Sequence, residues 1–100
     1  NVTQEGDDNS AEIDQTGDNN VIGQVDGMLQ RGDDNSADLT QSGDDNIFSS
    51  VTQIGNNNKI VGNQYGDENI ANLGQGGNRN EITINQGTSG SDVGNNNNAS

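Results

Sequence analysis

The sequence predicts an all-β chain: a β-solenoid of stacked two-strand rungs, strand-turn-strand, running as a parallel, in-register, amyloid-like cross-β column. Three observations predict it. The phrase Gln-x-Gly-x-x-Asn returns seven times, opening at Gln4, Gln15, Gln30, Gln41, Gln53, Gln64 and Gln75, and Gln86 opens an eighth that breaks down. Between each Asn and the following Gln, apolar and polar residues alternate with the period of a strand. Every second glutamine also keeps a common spacing. Gln15, Gln41, Gln64 and Gln86 are 26, 23 and 22 residues apart, and Gln4, Gln30, Gln53 and Gln75 follow the same intervals.

Composition alone points elsewhere. With 24% hydrophobic residues, two aromatics and a net charge of -13, the chain falls where apolar burial does not offset ordering entropy. A repeat changes that balance, because it stacks a thin core along an axis instead of closing a globule. The absences narrow the function. With no Cys and no His, the chain lacks the ligands of a zinc finger and an imidazole-activated nucleophile, and no enzyme chemistry or cofactor is expected. Three basic residues against sixteen acidic ones repel a phosphate backbone, so nucleic acid is not an expected partner. No apolar run approaches the roughly 18 residues of a membrane-spanning helix, and membrane insertion is not expected.

Each element follows from the alternation. In Asn80 to Gln86, Ile82 and Ile84 share a side with the two bracketing amides, while Glu81, Thr83 and Asn85 face the other way. The same reading turns Ala11 and Ile13, Ala37 and Leu39, Ile60 and Gly62, and Ala71 and Leu73 inward. Strands of about six residues alternate with turns of about four. The turns hold Gly6, Gly17, Gly32, Gly43, Gly55, Gly66 and Gly77, each free to take positive φ, beside the Asp and Asn that such turns favour. The longest interval places an insertion between Val21 and Leu29: Ile22 and Met28 face inward while Gln24 to Gly27 loop out. The interval of 23 places one extra residue near Ser49 or Ser50, a β-bulge flanked by the inward Phe48 and Val51.

Residues 1–86 therefore read as tandem repeats forming about four rungs, and 87–100 as a longer polar loop and the start of a further rung. The chain opens and closes in mid-phrase, and reads as a piece of something longer. Stacking sets Asn9, Asn35, Asn58 and Asn80 in a column at one corner and Asn20, Asn46 and Asn69 at the other. At a rise of roughly 4.8 Å, each Asn and Gln amide is expected to donate to its counterpart above and accept from the one below. The acidic turns admit three readings: paired carboxylates for acid/base work, a weak calcium column at Asp18, Asp44 and Asp67, or solvated turns. A stack this thin offers no pocket, which favours the last. Stacked carboxylates also repel, so they slow assembly and keep an unfolded chain soluble. Glu5 and Arg31 fall at equivalent places in successive rungs and are placed to pair, and Tyr65 reads as a surface aromatic in a turn.

The phrase Gly-x-x-Asn-x-Ala-x-x-x-Gln, met from Gly6 to Gln15 and again from Gly32 to Gln41, resembles the curlin repeat of curli, the amyloid fibres of bacterial biofilms. The resemblance implies a secreted subunit that leaves the cell unfolded, meets a nucleating minor subunit and secretion machinery, and polymerises with itself into an extracellular fibre at the bacterial surface. The residues favour part of this on their own. With no Pro and no helical period, nothing hides the end rungs, so they are competent to template another copy. Two alternatives stand beside it. One is a calcium-dependent β-roll module, whose Gly-Gly-x-Gly-x-Asp phrase is missing here. The other is a stalk or ice-binding solenoid, which needs a more regular outer face.

Overall fold

The computed structural model describes residues 1–24 and 27–87. Nine strands occur among them, β1 (Val2–Glu5), β2 (Ser10–Thr16), β3 (Val21–Ile22), β4 (Met28–Arg31), β5 (Ser36–Ser42), β6 (Ile47–Ile54), β7 (Lys59–Tyr65), β8 (Ile70–Gly76) and β9 (Glu81–Gln86), with no helix among the described residues. They form two parallel sheets. The first holds β1, β4, β6 and β8, with β3 lying in the same layer as β4, and the second holds β2, β5, β7 and β9. One strand of each sheet and the turn between them make a rung. About four rungs stack into a β-solenoid. The fifth rung and polar loop expected over residues 87–100 lie outside the described residues, save Gly87.

Register is set by matching amides and plugs. Gln4 pairs with Gln30, Gln30 with Gln53 and Gln53 with Gln75 across the first sheet. Gln15, Gln41, Gln64 and Gln86 do the same across the second. Between the sheets lie Met28, Ala37, Leu39, Phe48, Val51, Ile60, Ala71, Leu73 and Ile82, all buried, with Ala11, Ile22 and Ile84 packed against them. Ile13 departs from this. It sits under Leu39 in register, yet it is 39% exposed where Leu39 is 0%, because it belongs to the first rung and no described rung lies beneath it.

Volume is balanced across the sheets rather than within a strand. Gly62 takes an inward position between Leu39 and Ile84 in the second sheet, and the missing side chain is replaced by the ring of Phe48 from the first. A Cβ on Gly62 would lie 2.9 Å from Phe48 Cζ and 3.0 Å from Leu39 Cδ2. The largest core side chain and the smallest core residue are thus one packing unit.

The irregular intervals are absorbed locally. The register of β6 against β8 shifts between Phe48 and Ser50, so Ser49 is the extra residue, and its hydroxyl donates to the Ala71 carbonyl at 3.2 Å. In the insertion Gln24 is exposed, but Gly27 is buried and does not loop out as the sequence suggests. Its φ of 79° returns the chain to the stack, where Met28 N donates to Asn1 O at 2.8 Å and Val51 N reaches Gly27 O at 3.4 Å. Val25 and Asp26, which the sequence places in the same outward loop, lie outside the described residues.

Each turn needs two left-handed residues, where the sequence points to one. Gly32, with φ 111°, is forced twice over, since a Cβ there would overlap the carbonyl oxygen of Gly55 in the next rung. Two places on, Asp8, Asn19, Asp34, Asp45, Asn57, Glu68 and Arg79 all have φ between 54° and 61°. Asp and Asn tolerate this region; Glu68 and Arg79 do so at a cost. Tyr65 is not in a turn but ends β7, exposed on its outer side.

Two outcomes are expected from denaturant unfolding of the folded chain. Gly62→Ala lowers stability by about 1–2 kcal/mol through overpacking, and Phe48→Leu in the same chain recovers part of the loss. Arg79→Asn raises stability by about 0.5–1 kcal/mol by relieving the left-handed backbone.

Candidate assembly surface

Glutamine amides form two unbroken columns. Gln4 Nε2 donates to Gln30 Oε1 at 2.7 Å, Gln30 to Gln53 at 2.7 Å and Gln53 to Gln75 at 3.0 Å. In the second sheet Gln15 donates to Gln41 at 2.6 Å, Gln41 to Gln64 at 2.8 Å and Gln64 to Gln86 at 2.7 Å. All six bonds run the same way, donor below and acceptor above, so the column is polar. The second amide hydrogen crosses the core. Gln30, Gln53, Gln41 and Gln64 donate to the carbonyls of Ser10, Ser36, Val21 and Ile47, the residues that open strands of the opposite sheet. Glutamine therefore ties the sheets together as well as the rungs, a reach the shorter asparagine lacks. Nothing in the repeat phrase signals that second bond.

The corner asparagines stack in register, but their bonds run mainly to backbone and not from amide to amide as expected. Asn9 Nδ2 donates to the Gly32 carbonyl of the next rung at 2.7 Å, and Asn35, Asn58, Asn20 and Asn46 repeat the bond to Gly55, Gly77, Gly43 and Gly66. Their oxygens accept a main-chain N–H from the asparagine above, as Asn9 Oδ1 does from Asn35 N and Asn35 Oδ1 from Asn58 N, both at 3.1 Å. Direct amide contacts within the columns include Asn35 to Asn9 at 3.1 Å and Asn69 to Asn46 at 2.9 Å. The cause is the bend of the chain. It turns a glycine C=O and an asparagine N–H away from the main-chain ladder, and the asparagine side chain supplies the missing acceptor and donor together. Aspartate lacks the donor.

The residue after each turn glycine has a different task. Asp7 N donates to Asp33 Oδ1 at 3.0 Å and Asp33 N to Asn56 Oδ1 at 2.9 Å, while Asn56 N meets Asn78 Oδ1 at 2.8 Å. At the other corner Asp18 N meets Asp44 Oδ1 at 2.8 Å and Asp44 N meets Asp67 Oδ1 at 3.0 Å. Only an acceptor is needed, so Asp and Asn interchange at this place, whereas the corner is always Asn. That contrast is visible in the sequence and is the signal for both roles. Of the three carboxylates weighed as a calcium column, Asp44 and Asp67 accept the main-chain N–H from the rung below, and Asp18 in the first rung gives only its own N–H. Among the described residues no group of three or more acidic side chains is placed to hold a metal ion. Glu5 and Arg31 pair on the surface at 2.7 Å, and the bond to Glu5, then its charge, raises the Arg31 pKa.

The two ends of the column differ. In the first rung Gln4 and Gln15 are exposed, whereas their counterparts Gln30 and Gln41 are fully buried. In the fourth, Asn69 Oδ1 and Gln75 Nε2 are buried and have no hydrogen-bond partner among the described residues. These are the same two atoms that each lower rung spends on the rung above it. Gln53 uses its Nε2 on Gln75, and Asn46 uses its Oδ1 on Asn69. A buried polar atom left unmet costs about 1–3 kcal/mol, which a further rung in the same register removes.

Unidirectional amide columns, Asx-stacked turns and ladder atoms left unmet on the last described rung define a repeat solenoid of like rungs. The chain belongs to the curlin associated repeat family, whose model matches residues 1–23 and 32–66. The break between the matched segments, residues 24–31, covers the insertion that gives the longest glutamine interval. Neither the curated proteins nor the solved structures yield a match. The family is structural, and membership suggests a curli-type amyloid subunit whose place is an extracellular fibre at the cell surface.

The distinction between the two turn positions is open to test by one-atom exchanges. Asn58→Asp, which deletes the donor to Gly77 and buries a charge, is expected to lower stability by about 3 kcal/mol or more. Asn56→Asp keeps its acceptor and is expected to change stability by no more than about 0.5 kcal/mol.

Proposed function

We propose that the chain is a structural subunit of a curli-like extracellular fibre that grows by end-to-end addition of copies and builds biofilm matrix. The observation that carries this reading is the pair of buried atoms on the fourth rung, Asn69 Oδ1 and Gln75 Nε2, that meet no partner among the described residues. A rung bearing glutamine in register meets Gln75, and the exposed Gln4 of a second copy offers the matching Oε1. Such a contact joins unlike ends. It leaves a new unmet end after every addition, so it never closes.

The acidic turns then govern timing rather than chemistry. Asp33, Asp34, Asp44 and Asp45 are exposed, and stacking brings Asp33 under Asn56 and Asp44 under Asp67. Before folding, these charges keep the chain dispersed; on folding, they must approach one another. By family resemblance, a minor subunit that supplies the first rung and a secretion route for the unfolded chain are the expected partners.

Dilute monomer at neutral pH is expected to form unbranched fibres with a cross-β reflection near 4.8 Å, with or without calcium. Changing Asp33, Asp34, Asp44 and Asp45 together to Asn is expected to shorten the lag several-fold at low salt, the difference fading at high salt. A lag that stays the same, or polymerisation that requires calcium, counts against this reading.

A further inference from the structure

The glutamine columns do not by themselves fix how one copy sits on the next. Both sheets carry the same phrase, so a second copy finds matching amides in two frames. Unrotated, its Gln4 continues the column that ends at Gln75; turned half a revolution about the stack, the same side chain continues the column that ends at Gln86. Another feature has to choose between them.

The second left-handed place of the turn differs between the two corners. At the corner of Asn9 it stacks Asp8, Asp34, Asn57 and Arg79, from the first rung to the fourth. At the corner of Asn20 it stacks Asn19, Asp45 and Glu68. Among the described residues, one column therefore ends on a guanidinium and the other on a carboxylate. Arg79 is exposed and holds a φ of 61°, a conformation that arginine takes at a cost. Arg31 and Lys59 are paired with Glu5 and Glu81, whereas Arg79 has no carboxylate partner among the described residues.

We propose that Arg79 of one copy pairs with Asp8 of the next, and that this pair sets the rotational frame in which successive copies stack. The proposal rests on the fibre-subunit reading above. Continuing the register unrotated by one step sets Asp8 over Arg79, so the one unpaired guanidinium among the described residues meets a carboxylate. The same step sets Val2 over Leu73 and Ile13 over Ile84, which covers the two exposed large aliphatics of the first rung. It also sets Asp7 over Asn78 and Glu12 over Thr83, both neutral. Inside the chain, by contrast, the step from the first rung to the second sets Asp33 over Asp7, Asp34 over Asp8 and Asp38 over Glu12. The joint between copies is thus free of the like-charge stacking that the chain's own lower rungs carry. The half-turned frame loses this advantage. It returns Asp8 to the column that ends, among the described residues, at Glu68, where like charges repel.

The test exchanges the two charges and follows elongation of fibres seeded with their own fragments. At about 10 mM salt, the chain carrying both Arg79→Glu and Asp8→Arg is expected to elongate about threefold faster than either single variant, a gap that closes at about 1 M salt. Arg79→Asn, which relieves the backbone of the single chain, is expected to slow elongation at low salt, an outcome that a purely structural role would not produce. The frame itself is read by solid-state NMR of wild-type fibres grown from a mixture of nitrogen-labelled and carbon-labelled chains, where transfer from the Arg79 guanidinium to the Asp8 carboxyl of another chain is expected. Should the exchanged chain fail to fold, this contact decides. An exchanged chain no faster than the single variants, Arg79→Asn fibres that elongate like wild type, or transfer from Arg79 to Asp92 of its own chain in place of Asp8 overturns the proposal. A contact that sets Asp8 beside Glu68 of another chain assigns the half-turned frame and overturns it too. A wild-type chain that forms no fibres overturns the fibre-subunit reading itself.

Discussion

The structure depends on one constraint: each inward glutamine amide must meet the equivalent amide of the rung above. A glutamine displaced by one position along its strand points to solvent, and its neighbours lose partners that water cannot replace. The constraint fixes the length of a rung, so insertions leave the column, as around Gln24, or are taken up in a bulge, as at Ser49. It also lowers the demand on the core. Among the described residues nine buried apolar side chains form the core, and the glutamines join the two sheets as well as the rungs, through bonds such as Gln53 to Ser36 O at 3.0 Å. Register is thus specified by polar groups, and apolar plugs fill what remains.

Turn chemistry answers the same demand. A tight bend with two left-handed residues removes main-chain groups from the parallel ladder, and side chains at two fixed places return them. Asparagine at the corner supplies donor and acceptor, while the residue after glycine supplies an acceptor alone. Carboxylates can be concentrated at that second place without loss of stacking. The repeat therefore carries much of its negative charge where it costs the column little.

Much of this was legible in the residues. The spacing of Gln15, Gln41, Gln64 and Gln86 gave the rung, and the alternation around Ile82 and Ile84 gave the strand, because both are properties of chain order. What escaped was whatever depends on contact between elements distant in sequence. The crossing bond from Gln30 to Ser10, the sharing of volume between Phe48 and Gly62, and the return of Gly27 into the stack all join segments that no local pattern links. The asparagine columns are legible and two of their amide contacts occur, yet most of their bonds run to backbone, since the phrase says where an amide stacks and not which neighbour it reaches. The exposure of Ile13 follows from its rung being the first described, which a periodic sequence does not mark.

The most direct test of the central claim is solid-state NMR of assembled chain labelled at glutamine, read for side-chain nitrogen-to-carbon transfer between successive rungs. The account expects transfer from Gln53 Nε2 to Gln75 Cδ and from Gln41 Nε2 to Gln64 Cδ, with these amides protected from exchange. Rapid exchange of the Gln41 and Gln53 amides, or transfer between glutamines of different columns, would contradict it.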